Sequence, residues 1–487
     1  MENRWILIYD TYKGVEKTAV NMLSGFVSGH LQYVLPLKPV GEITEDMIKT
    51  TNVLVVGKID DNPILRRLKE EGRIQVSNEA EGYSIYVGEN PYQTELQIIA
   101  IAGFDAHGVL YGCMDFCNRY CGDLLYKTGY LCGKSFFKNR FDEKLTGWQI
   151  SSTSKIKTRA LWTWGHVIYD YRKFFENMAK LRLNEIVIWN DVAPLNASDV
   201  VECAHSFGIK VIWGFAWGWR SRCASIEEDF DGDMPRKIKE SVLQKYEKEY
   251  ASIGGDGIYF QSFTELDKES IAGKLVAEIV TDLVNDTANA LLEKHPDLNI
   301  QFGLHATSVK NRLNVIQKID KRIHIVWEDC GAFPFNYFPD KIENFDETME
   351  FTEQILVLRG KEEKFGAVLK GMLNLDWGNF EHFKDSYILG TRTNEYIKER
   401  QAEKDKIWKI IQAGWLKNAE YVRRMIELIA GKSNSPIVQG LVEDGMFENK
   451  IMFPVAFLAE LLWDASDNVE EIIERVSKYP CVSFANL

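Results

Sequence analysis

The chain has 487 residues, 45% of them hydrophobic and 26% charged, the make-up of an ordinary globular protein with room for two or three domains. A formal net charge of −13, from 58 basic and 71 acidic residues, argues against nucleic acid or an anionic membrane as the main partner. The apolar residues 5–9 are too few for a secretory leader and stop at Asp10, and no apolar run approaches the ~20 residues of a membrane span, so the sequence reads as cytoplasmic.

Residues 1–150 read as a small α/β domain. Residues 4–10 (RWILIYD) and 52–58 (NVLVVGK) are short apolar strands. Residues 14–30 have helical spacing, with Val15, Ala19, Met22, Leu23 and Phe26 on one face. Two β-rich runs follow, 82–88 (GYSIYVG) and 96–103 (LQIIAIAG), and then a helix over 108–120. Cys113, Cys117 and Cys121 share one face of that helix. They read as reduced, buried thiols, because one helix face cannot surround a tetrahedral zinc and no Cys-x-x-Cys pair is present.

From residue 151 to 392 the chain alternates strand and helix at the spacing of a (β/α)8 barrel. The strands are expected within 159–164, 185–190, 210–218, 257–263, 299–306, 322–329 and 365–375; the eighth is not apparent. A doubly wound open sheet is the competing arrangement, but no Gly-rich phosphate turn follows the first strand. Residues 393–487 read as a helical C-terminal region that packs on the barrel or forms a dimer face. The fold class is therefore α/β: a (β/α)8 barrel, preceded by a small α/β domain and followed by helices.

The fourth strand lies in residues 254–266 (GGDGIYFQSFTEL) and ends on Glu265. Barrel enzymes place their chemistry at the carboxyl ends of their strands. Sharing that end are Trp162 and Trp164, Trp189 and Asn190, Trp217, Gln261, His305, Trp327, and Asp376 with Trp377. Tryptophan stacks its flat face on sugar C–H groups while its N–H reaches a hydroxyl, so these residues are expected to bind carbohydrate. Glycoside hydrolysis needs two carboxyls. Glu265 is the expected general acid, and Glu328, Asp329 or Asp376 the second carboxylate. Glu328 and Asp329 are strand neighbours, so one of them must point away from the barrel interior. His166, His305 and His324 lack metal-ligand spacing, and the acid–base chemistry needs no cofactor.

Residues 82–85 (GYSI), followed by 99–112 with its strand–Gly103-x-Asp105-x-x-Gly108–helix pattern, resemble the accessory N-terminal domain of certain glycoside hydrolases. These are the β-N-acetylhexosaminidases of family 20, the hyaluronidase-like O-GlcNAcases and the α-glucuronidases of family 67. The barrel resembles the same superfamily and is nearest in look to family 67, through Asp170-Tyr171-Arg172, Trp189-Asn190 and Thr264-Glu265. The resemblance implies a glycosidase whose general acid stands at Glu265. Family 20 and the O-GlcNAcases put a second acid immediately before the general acid; this chain has Thr264 there. Two other readings stay open: a hexosaminidase-like enzyme using another group for the missing acid, and a non-catalytic sugar-binding protein on a degenerate barrel.

Overall fold

A computed structural model describes residues 4–120, 147–190, 192–218, 230–266, 268–328, 342–372, 385–442 and 447–485. The first unit is a six-stranded sheet: β1 (Trp5–Tyr9), β2 (Leu37–Pro39), β3 (Asn52–Lys58), β4 (Tyr83–Asn90), β5 (Gln93–Gly103) and β6 (Trp148–Ser152), in the order β2-β1-β3-β5-β4-β6. The first four strands of that order are parallel, while β4 and β6 run antiparallel to their neighbours. The strands are apolar on both faces because helices cover both: Leu7, Leu54 and Ile99 face one core, and Ile8, Val55 and Ala100 the other. In the Gly-x-Asp-x-x-Gly segment, Asp105 caps the helix Ala106–Asp115 by accepting from the Gly108 N–H at 2.8 Å. Cys113 and Cys117 are both buried; Cys121 lies outside the described residues.

The second unit is a closed parallel barrel. Its strands are β7 (Thr158–Trp164), β8 (Glu185–Trp189), β9 (Lys210–Gly214), β10 (Gly257–Gln261), β13 (Asn299–Leu304), β14 (His324–Trp327), β15 (Phe365–Met372) and β16 (Ile437–Val442). Between β10 and its helix, a two-stranded hairpin intervenes, β11 (Ser270–Ile271) and β12 (Lys274–Leu275). The helix after the hairpin runs from Val276 to Lys294. The strand that closes the barrel, β16, pairs with both β15 and β7. It lies in the stretch read above as helical, between the helices Ala419–Lys432 and Phe453–Trp463.

Side chains alternate across the barrel wall. Leu161, Ile186, Val211, Ile258, Phe302 and Ile325 point outward to the helix layer. Trp162, Trp164, Val187, Trp189, Ile212, Tyr259, Val326, Val368 and Leu441 fill the interior. Three segments lock together at Arg182, in the turn before β8. It donates to Tyr83 of the first sheet at 3.0 Å and pairs with Asp115 and with Glu460 of the helix Phe453–Trp463. No helix among the described residues is long and apolar enough to cross a membrane.

Candidate active site

At the carboxyl end of β10 the chain leaves the strand at Gln261 and makes one 3-10 turn, Phe263–Glu265. Thr264 fixes that turn. Its hydroxyl accepts from the His305 N–H at 3.1 Å, and its carbonyl accepts from the Ser308 N–H and hydroxyl, at 3.1 and 2.8 Å. These bonds tie the loop after β10 to the loop after β13 and set Glu265 beside His305. The Glu265 side chain is 40% exposed, and its Oε1 lies 3.8 Å from His305 Nε2.

Below this pair sits Glu328. It immediately follows β14, points inward and is buried. Its carboxylate accepts from the Tyr259 hydroxyl at 2.6 Å and from Gln261 Nε2, 2.7 Å from each oxygen. His305 Nε2 lies at 3.1 Å and the Lys370 ammonium at 3.3 Å. Burial alone would drive this carboxyl toward its neutral form. The adjacent His305 and Lys370, with the hydrogen bonds from His305 and Tyr259, outweigh burial and hold it well below the usual carboxylate range. Gly303 makes the space: a Cβ at that position would overlap Glu328 Oε1 and crowd the Tyr259 hydroxyl.

A different carboxyl braces the rim. Glu448 follows β16 and is 4% exposed. Its Oε1 accepts from the N–H groups of Tyr169 and Asp170, at 2.5 and 3.3 Å, which joins the loop after β16 to the loop after β7. Burial outweighs these two bonds and pushes the carboxyl up to about 8.

The expected sugar-binding tryptophans separate into two groups. Trp162 and Trp189 stack on each other inside the barrel, ring centres 5.8 Å apart, and Trp164 packs edge-on against Trp162. Their rings face one another in the interior cluster, so they form the floor of the mouth. Trp217 and Trp327 do not reach the mouth, which corrects the expectation for both. Trp217 stacks on Phe260 and Trp327 packs edge-on against Phe351, fully buried in the outer layer. Alternation explains it: Glu328 points in, so Trp327 points out, and Trp217 shares the outward parity of Trp213.

Gln261 and His305 stand where the sequence placed them, at the mouth, but they engage Glu328. Asn190 is buried, and its amide donates to the Val192 carbonyl at 3.0 Å. Asp329, Asp376 and Trp377 lie outside the described residues. Two members of the cluster were missed, Tyr259 and Lys370. Both carried a signal: Tyr259 has the inward parity of Gln261, and Lys370 is a lone cation in the apolar run of β15. A surface cavity of about 520 Å³ lies on the helix layer, lined by Phe230, Lys274, Glu278 and Lys318 among others, and none of the described candidate residues is among its lining.

No protein-family profile matches the chain, and no curated protein matches it in sequence. Among solved structures, CpGH84D aligns over 97% of this chain and 89% of its own, with 13% identity and a TM-score of 0.46. A glycoside hydrolase family 20 β-N-acetylglucosaminidase aligns over 96% and 93%, with 10% identity and a TM-score of 0.48. The catalytic domain of a hyperthermophilic chitinase from Pyrococcus furiosus aligns over 64% and 98%, with 10% identity and a TM-score of 0.33.

Proposed function

We propose that the chain is a glycosidase that hydrolyses short oligosaccharides, with Glu265 as general acid. The observation that carries this reading is the placement of Glu265. It is the partly exposed carboxyl at the end of a barrel strand, 3.8 Å from a histidine that also contacts a second, ionised carboxylate. In such a pair one carboxyl passes a proton to a leaving oxygen, while the other stabilises the positive sugar ring of the transition state.

Glu328 suits the charged role. Its oxygens are engaged by Tyr259, Gln261, His305 and Lys370, so it is poorly placed to attack a sugar or to polarise water. The attacking or water-activating carboxylate in this reading is Asp376, because Glu328 takes the inward place of the pair it forms with Asp329. Thr264 does not replace the missing acid of a hexosaminidase, since it is buried and bound to the loop after β13.

The test is a panel of aryl glycosides covering neutral hexoses, pentoses, uronic acids and N-acetylhexosamines, with short natural oligosaccharides beside them. Wild type should cleave at least one member, and Glu265→Gln should lose about 10²-fold or more on it. Equal cleavage by both proteins would remove Glu265 from the acid role. Cleavage confined to N-acetylated sugars would favour the hexosaminidase-like enzyme. A sugar that raises the melting temperature without being cleaved would favour the binding protein.

A further inference from the structure

The cavity of about 520 Å³ on the helix layer opens between the start of the helix Met234–Lys245, the helix Val276–Lys294 and the short helix Leu313–Ile316. Its volume is that of a small-molecule site. Hydrogen bonds and ion pairs hold its walls. Glu269, just before the β11–β12 hairpin, pairs with Arg312 at 3.2 Å and accepts from Asn311 at 3.0 Å. Asn285 of the long helix donates to the Lys318 carbonyl at 2.9 Å and accepts from the Asp320 N–H at 2.8 Å. On the other side Asp231 pairs with Lys237 at 3.1 Å, and its carbonyl accepts from the Met234 N–H at 3.1 Å. A site with walls fixed in this way needs little ordering when a ligand enters.

The lining has two levels. At the floor are Ile279, Val315 and Thr281, all buried. Thr281 is 3% exposed, and its hydroxyl has no hydrogen-bond partner among the described residues. A buried hydroxyl left unbonded is unfavourable, so this one marks a place where an incoming group can bond. At the rim stand Lys274, Glu278, Asp282 and Lys318, all exposed. They are two cations and two anions, and none of them is ion-paired among the described residues. The half-buried Phe230 and Pro235 add an apolar wall.

We propose that this cavity is a second, non-catalytic site that binds a neutral saccharide. A sugar ring has a face of C–H groups and an edge of hydroxyls that donate and accept. The face suits Phe230, Ile279 and Val315. The edge suits the Thr281 hydroxyl and a rim whose carboxylates accept and whose ammonium groups donate. Other ligand classes fit less well. An ion of either sign would face two like charges, and a wholly apolar ligand would cover the rim charges and leave Thr281 unbonded. None of the described catalytic candidates lines the cavity, so binding here is independent of Glu265. Its use rests on the glycosidase reading: a chain held at this cavity raises the local concentration of substrate for the barrel mouth.

The test is photolabelling of the full-length protein, as wild type and as Glu265→Gln, with trisaccharides of glucose, xylose and N-acetylglucosamine that carry a diazirine at the reducing end. Labelled peptides are mapped by mass spectrometry. We expect at least one probe to label residues 230–235, 274–282 or 315–318 in both proteins, and the same trisaccharide without the diazirine to compete. Thr281→Val removes the hydroxyl at nearly constant shape, and should raise the probe concentration for half-labelling there about fivefold. Phe230→Ala should raise it by a similar factor. Both variants should leave kcat on a small aryl glycoside unchanged. Absence of labelling in these segments overturns the site, and so does labelling that neither variant weakens. If those two variants fail to fold, Lys318→Gln on the exposed rim is read in their place. Labelling here by a protein that hydrolyses nothing keeps this site and removes the glycosidase reading; hydrolysis without labelling here does the reverse.

Discussion

Glu328 and Asp10 are both carboxylates withdrawn from water at the carboxyl end of a parallel strand, but their surroundings treat the charge in opposite ways. Glu328 is the more deeply buried of the two and stays ionised, because a phenol, an amide, an imidazole and an ammonium converge on it. Asp10 is only partly buried, yet burial pushes it up to about 7, because the hydrogen bond from Asn62 and the pull of Lys58, which is paired with Asp61, are too weak to offset it. The comparison teaches that burial by itself does not decide the state of a carboxyl; the number of donors and cations within reach does. Glu448 lies between them: burial outweighs its two backbone donors and pushes it up to about 8.

The largest effect comes from breaking the geometry around Glu328. Gly303→Ala puts a methyl where Glu328 Oε1 lies, and is expected to cost about 3–5 kcal/mol, read as a drop in denaturation midpoint. Second comes the charge itself. Glu328→Gln removes the anion that His305 and Lys370 share and should cost about 3 kcal/mol. Adding Lys370→Met to that variant should recover part of the loss, and strict additivity in the double-mutant cycle would show that the two do not interact.

Glu448 sharpens the comparison through pH. Its carboxyl rises in the folded protein from the ordinary 4.5 to about 8, so the native state holds a proton that the unfolded chain has already released. This contribution to stability is complete below about pH 4.5 and is lost as pH rises toward 8. Glu448→Gln should therefore flatten the wild-type decline in melting temperature across that window, worth on the order of 1–3 kcal/mol at pH 8. Glu328 behaves with the opposite sign, its stabilisation being lost as the pH falls below the ordinary carboxylate range. The smallest effect belongs to the outward tryptophans. Trp327→Phe should lower the melting temperature by a few degrees, about 1–2 kcal/mol, and leave KM unchanged.

Much of this architecture can be read from the residues. Apolar runs of four to eight residues mark seven barrel strands, and Gln261, His305, Glu265 and Glu328 fall at or just past their ends. β16 escapes such a reading because IVQGLV is six residues long and set among long helices, so its partners β15 and β7 identify it and its own pattern does not. The tryptophans went astray for a related reason. A strand-end position says how high a side chain stands on the barrel, while its direction depends on parity, which Trp213 and Glu328 fix only once the register is known. Tyr259 and Lys370 were hidden by apolar neighbours that look like plain core.

The most direct measurement is the dependence of hydrolysis on the leaving group, compared between wild type and Glu265→Gln on one sugar series running from dinitrophenyl to alkyl glycosides. A general acid matters most where the departing oxygen is most basic. The account predicts that Glu265→Gln stays close to wild type on the dinitrophenyl glycoside and falls behind by about 10²-fold or more on the alkyl glycoside. An equal loss across the series, or no loss at all, would contradict it.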